Sequence, residues 1–164
     1  MPLPAARHTM PDVGAARGQG PGVAPCAHPQ SVACFGAVSL SRGKFVRSMC
    51  EKFDALTFEA FLKKLRRQRS RGTRMVIVLD NANYHHARRL MPLLRNYRSV
   101  LTLWFLPPYS PQLAPIERVW KLARRMAPHN RFFATLSELL AAVGQCFDRW
   151  QKPHTVLRRL CGII

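Results

Sequence analysis

Apolar residues along this chain follow two periods, and each change of period marks a change of element. Met75, Val76, Ile77, Val78 and Leu79 form an unbroken apolar run, which predicts a strand buried on both faces, as in a sheet covered by helices. Val100 to Leu106 is a second such run, ended by Pro107, Pro108 and Pro111. Upstream, Ser31 to Leu40 and Lys44 to Met49, joined around Ser41-Arg42-Gly43, predict a hairpin of imperfect alternation. Phe58, Phe61, Leu62 and Leu65 recur at helical spacing, which predicts an amphipathic helix from Thr57 to about Gln68 with a basic outer face. A helix from about His85 to Tyr97 must kink or break at Pro92. Pro115 suits the first position of a further helix, with Ile116, Val119, Trp120 and Ala123 on one face and Glu117, Lys121 and Arg124 on the other. Thr135 and Glu138 form a capping box that opens a last helix, whose stripe is Leu136, Leu139, Leu140, Val143, Phe147 and Trp150. Strands alternating with helices argue for a layered α/β architecture. Residues 1–28, rich in proline and glycine, read as an irregular and mobile segment, 29–152 as one domain, and 153–164 as a tail without an assigned element.

Two acids fall at defined places in this pattern. Asp80 follows the first apolar run, and Glu117 lies in the first turn of the helix that Pro115 opens. A pair of carboxylates set on a strand end and a helix start can hold a divalent cation. Each has a plainer explanation: Asp80 can close the turn after its strand, and Glu117 can favour the helix dipole and pair with Lys121. Trp120 reads as core, and Tyr109 as packing against the proline loop. His85 and His86 are ordinary helix-start residues unless the wider motif gives them a role.

That motif is present. Leu79-Asp80-Asn81-Ala82-Asn83-Tyr84-His85-His86-Ala87 and Phe105-Leu106-Pro107-Pro108-Tyr109-Ser110-Pro111-Gln112-Leu113-Ala114-Pro115-Ile116-Glu117-Arg118-Val119-Trp120 resemble the two acid-bearing segments of transposases of the mariner superfamily, in the bacterial insertion-sequence branch with a DDE-type endonuclease domain. The likeness runs from about Arg17 to about Trp150, and Ala16 to Val23 with Val32 to Val46 looks like the stretch between that family's first and second catalytic acids. The resemblance implies a ribonuclease H-like mixed sheet flanked by helices, in which three carboxylates bind two Mg2+ or Mn2+ ions. Carried over, Asp80 is the second acid and Glu117 the third, both catalytic and both metal ligands. His85 becomes a DNA or outer-sphere contact. Lys121, Arg124 and Arg125, which flank Glu117, are expected from their charge to be DNA contacts. Two ions roughly 3.5–4 Å apart would stabilise the attacking and leaving oxygens of phosphodiester cleavage.

The family's first acid lies on the opening, central strand of its sheet. Only Asp12 precedes the matched segment, without an apolar run or the right distance, so the first acid and its strand are expected to be absent, leaving two half-sheets with unpaired inner edges. Ala114 also departs from the family, which carries Asn before Pro-Ile-Glu. The expectation is a truncated catalytic domain, inactive alone, which an upstream reading frame or a second copy would have to complete; the rival is a non-enzymatic, basic nucleic-acid-binding protein.

Composition agrees with a DNA partner. The 164 residues carry a net charge of +18, which favours polyanions and leaves phosphate binding and a solvated basic surface as its two explanations. Lys63, Lys64, Arg66, Arg67, Arg69, Arg71 and Arg74 cluster at one helix end and read as such a solvated face. Five cysteines without a Cys-x-x-Cys pair give neither a disulfide framework nor a zinc site and fit a reduced, cytoplasmic setting. No apolar run reaches the roughly 18 residues of a membrane span.

Overall fold

The computed structural model describes residues 32–127 and 132–162. The expected mobile segment 1–28, Asp12 and Cys26 lie outside them. Within them the order is β1 (Ala33–Val38), β2 (Phe45–Cys50), α1 (Ala55–Arg67), β3 (Met75–Leu79), α2 (Met91–Asn96), β4 (Leu101–Phe105), α3 (Pro115–Met126), α4 (Leu136–Arg149) and α5 (Thr155–Cys161), with short 3-10 turns between. The class is α/β, compatible with a ribonuclease H-like domain. Its strands form two ribbons: β1 pairs antiparallel with β2, and β3 pairs parallel with β4.

Strand alternation sorts the hairpin's side chains into two cores. Cys34, Val38 and Phe45 point to a cluster built from Val119, Ala123, Val143, Phe147, Trp150, Leu157 and Cys161 of α3, α4 and α5 with Trp150 closing it. Phe35, Ala37, Val46 and Cys50 point the other way, to Phe58, Phe61, Leu62 and Leu65 of α1 with Leu90 and Leu93. The hairpin is therefore a wall with helices on both sides. Burying a side chain such as Phe61 or Leu62 contributes about 1.5–3 kcal/mol.

The β3–β4 ribbon is covered on one side only. Met75, Ile77, Leu79 and Leu103 pack on the α1 core, while Val76, Val78 and Trp104 are 51%, 45% and 65% exposed. The expectation of a strand buried on both faces is thus corrected. The run is continuous in sequence, but α3, α4 and α5 cover the hairpin and not this face. Pro92 likewise lies in the first turn of α2 and does not kink a longer helix: two 3-10 turns, Asn83–His86 and Arg88–Leu90, precede it. The chain after Pro153 forms α5, which packs Leu157 and Cys161 into the core.

Capping explains two helix starts. Asp54 accepts the Thr57 N–H at 2.8 Å and the Asp54 N–H donates back to Thr57 Oγ1 at 3.1 Å, a reciprocal box that sets α1 two residues earlier than its apolar stripe predicts. At α4, Glu138 donates its N–H to Thr135 Oγ1 at 3.2 Å, but its carboxylate accepts from Ala134, one residue beyond the box.

The hairpin turn depends on glycine at one position. Gly43 has φ +63, and a Cβ there would meet the His154 carbonyl oxygen and come within 2.6 Å of the Arg158 nitrogen, so the backbone of α5 rests directly on the turn. Gly43→Ala combines left-handed strain with a clash against immovable backbone, and a loss of about 2–5 kcal/mol is expected. Gly72 has φ +72 with nothing within 4 Å, so Gly72→Ala should carry only the conformational part. Urea midpoints of the two variants compare them; equal losses would show that α5 does not seat on the turn.

Candidate active site

Asp80 is the first residue past β3, where the strand ends and the chain turns. Its Oδ1 accepts the Ala82 N–H at 3.2 Å, the self-bonded turn that Asp commonly makes. His85 Nδ1 stands 3.0 Å from the same Oδ1 and 3.0 Å from the Asp80 carbonyl oxygen. The imidazole is 8% exposed and is held between the rings of Phe58 and Tyr84, with centroids 4.3 and 4.4 Å away. The Asp80 carboxylate itself is 40% exposed, so a buried base backs an acid that reaches solvent. Burial, with a smaller contribution from the Asp80 charge, pushes the Tyr84 hydroxyl up to about 12, so Tyr84 stays neutral beside the acid.

The segment carrying Glu117 is tied to the same strand end. Leu106 donates its N–H to the Leu79 carbonyl at 2.9 Å, and Asn81 Nδ2 donates to the Leu106 carbonyl at 2.6 Å. From there the proline loop leads into α3, whose first turn holds Glu117. The Glu117 N–H donates to Ala114 O at 3.0 Å, and Ala114 caps the helix without a side-chain bond. Val119 and Ala123 seat α3 on the core, and Arg118 fixes it to α5 through the Leu160 carbonyl at 2.9 Å. Glu117 is half-buried, Lys121 and Arg125 are exposed, and Arg124 is half-buried. Basic side chains thus follow Glu117 along the helix.

Most of the other acids are engaged elsewhere, and Glu51 is exposed just past β2. Asp54 caps α1; Glu59 holds Lys63 at 2.7 Å and Arg89 at 3.1 Å; Glu138 caps α4; Asp148 holds Arg47 at 2.9 Å. Each has a structural task far from the Asp80 turn in sequence. Among the described residues there is no group of three or more His, Cys, Asp or Glu side chains able to hold a metal ion. Divalent cations such as Mg2+ take one or two protein carboxylates and fill the rest of their shells with water and phosphate oxygens.

Three features of the site are not written in the motif. His85 is buried behind Asp80, and Tyr84 packs its ring; the aromatic residues at 58 and 84 are the only sequence signal for this. Asn81 is the clasp between β3 and the proline loop. Tyr109, expected to pack that loop, is instead 94% exposed with φ 57.

The chain is similar to known proteins over most of its length. An uncharacterized protein of Sinorhizobium fredii (strain NBRC 101917 / NGR234), y4pE/y4sA, is 31% identical over 118 residues, covering 72% of this chain and 82% of that protein. Residues 5–140 match the family model of the DDE superfamily endonuclease, a span that takes in both acid-bearing segments, and the chain belongs to that family.

Proposed function

We propose that the chain is the part of a transposase catalytic domain, of the mariner superfamily's insertion-sequence branch, that carries Asp80 and Glu117 as metal-binding acids. The observation that carries this reading is the clasp of Asn81 and Leu106, which fastens the Asp80 turn to the loop that delivers Glu117. Family members are nucleases acting on DNA with divalent metals, and such a cation, when bound, supplies charge stabilisation at the attacked phosphate. The chain's own groups do the rest. His85, the sole buried polar residue among the described ones, orients Asp80 from behind, which is the outer-sphere role of the two that the sequence left open. Lys121, Arg124 and Arg125 are assigned to DNA phosphates along α3.

A third carboxylate completes the site in this reading. Asp54, Glu59, Glu138 and Asp148 are occupied in caps and ion pairs, Glu51 is exposed just past β2, and no apolar run precedes Asp12 in the sequence. We therefore expect the chain alone to bind plasmid DNA but not to nick it in Mn2+, with cutting and strand transfer arising only when another polypeptide provides the third acid. A gel assay for relaxed plasmid tests this: nicking by the purified chain that disappears in Asp80→Ala would overturn the need for completion. Addition of an acid-bearing strand peptide that fails to restore cutting, with DNA still bound, would favour the second reading, a basic DNA-binding protein. That reading draws on the net charge of +18.

A further inference from the structure

Tyr109 is placed at energetic cost and without reward inside the protein. It is the only non-glycine residue at positive φ among those described, with φ 57, a conformation that crowds Cβ against the following carbonyl in a bulky residue. Its ring is 94% exposed, whereas Tyr84 and Tyr97 are part-buried against the α1 core. Folding therefore gains no apolar burial from the ring, while the backbone is held in a strained state. Strain of this kind persists only where the surroundings fix it, and such outliers concentrate at binding and catalytic positions.

The surroundings are visible. Pro107 and Pro108 precede Tyr109 and Pro111 follows, each with a locked φ. Ser110 Oγ donates to the Pro108 carbonyl at 3.2 Å, and the Leu113 N–H donates to Ser110 O at 3.1 Å. Both ends of the loop are anchored: Leu106 is clasped to the Asp80 turn, and Pro115 opens α3. Tyr109 is three residues past Leu106, so at most roughly 11 Å of extended chain separates the two Cα atoms. An aromatic plane is thus displayed, pre-ordered, between the two segments that carry Asp80 and Glu117.

We propose that Tyr109 is a stacking platform for an unpaired DNA base next to the phosphate the site acts on. This deepens the reading of a DNA-cleaving site and rests on it. A flat ring on a rigid loop fits the face of any base, which demands an aromatic plane but no particular hydroxyl. Pro107, Pro108 and Leu113 are exposed beside it, and the basic side chains of α3, into which the loop leads, favour a nucleic-acid occupant over an apolar protein surface. A paired duplex base offers no free face, so the preference is for single-stranded or locally opened DNA. Tyr109 touches substrate without taking part in proton or phosphoryl transfer, which makes it a positioning contact.

The test uses the full chain at low salt with two probes carrying 2-aminopurine: a single-stranded oligonucleotide and a fully paired duplex. Tyr109→Phe should quench the single-stranded probe as the wild type does. Tyr109→Asn, which tolerates the left-handed backbone and so keeps the loop, should bind the single strand roughly 5–150-fold more weakly and lose the quenching, with duplex affinity unchanged. Equal quenching and affinity in wild type and Tyr109→Asn, with duplex still bound, would overturn the stacking role alone. Equal losses on single strand and duplex would also overturn it, by showing a general contact. Failure of the wild type to bind either probe would overturn the DNA reading beneath it.

Discussion

Phe45→Ala should cost about 3–5 kcal/mol of folding stability, enough to remove a large part of the roughly 5–15 kcal/mol available to a domain of this size. Phe45 is 1% exposed and meets Trp120, Phe147 and Trp150, with ring centroids 5.7, 4.9 and 6.2 Å away. Its N–H also donates to the Trp150 carbonyl at 2.8 Å, so one residue joins the hairpin to the end of α4 through ring and backbone alike. Truncation leaves a cavity that three rigid rings cannot collapse into. Because the hairpin separates two cores, the loss should be uneven: amides of α4 and α5 should exchange hydrogen much faster, while those of α1, whose core is centred on Phe35, Phe61 and Leu62, should change less. Chemical denaturation gives the magnitude and hydrogen exchange the distribution. A uniform rise in exchange would show that the two cores behave as one.

That division into two cores also explains what could be read from the chain before its structure was known. The hairpin, α1, α3 and α4 were legible because their apolar residues repeat with a period near 2 or 3.6, β3 and β4 because each is an almost unbroken apolar run, and Pro115 and Thr135 mark helix starts chemically. Asp80 and Glu117 stood out because a carboxylate at the end of an apolar run and another in a first helical turn are placed by the same local patterns. What escaped is what depends on distant packing. The exposure of Val76, Val78 and Trp104 follows from α3 lying over the hairpin, which no local period encodes. The burial of His85 follows from Phe58, contributed by another helix. The strain at Tyr109 arises from three prolines acting together, and α5 is too short at Thr155–Cys161 to show a period. Its attachment is instead set by a glycine in the hairpin turn.

At low ionic strength the chain should retain duplex DNA with little sequence preference, and raising salt from about 50 to about 200 mM should weaken binding by roughly 10³–10⁵-fold if some 6–10 phosphates are contacted. The basic surface has two candidate regions, and their side chains are differently committed. In the 63–74 cluster, Lys63 is held by Glu59 and Lys64 by the Arg47 carbonyl, Arg66 lies over the Tyr97 ring at 4.5 Å, Arg69 donates to the Ser70 and Thr73 carbonyls, and Arg74 donates to Thr102 Oγ1 at 3.0 Å. Recruiting these groups to phosphate means breaking contacts that they already make within the fold. On α3, Lys121 and Arg125 extend from an outward face that begins at Glu117, where a bound DNA strand must pass if Glu117 serves the reaction. Replacing Lys121, Arg124 and Arg125 together by alanine should therefore lower the slope of log affinity against log salt by about 3 at most, each phosphate contact being worth about 0.9. Fluorescence anisotropy over a salt series measures it. A slope untouched by the triple replacement would move the DNA off α3, and with it the ground for placing Glu117 at the phosphate; affinity indifferent to salt would remove phosphate neutralisation as the mode of binding altogether.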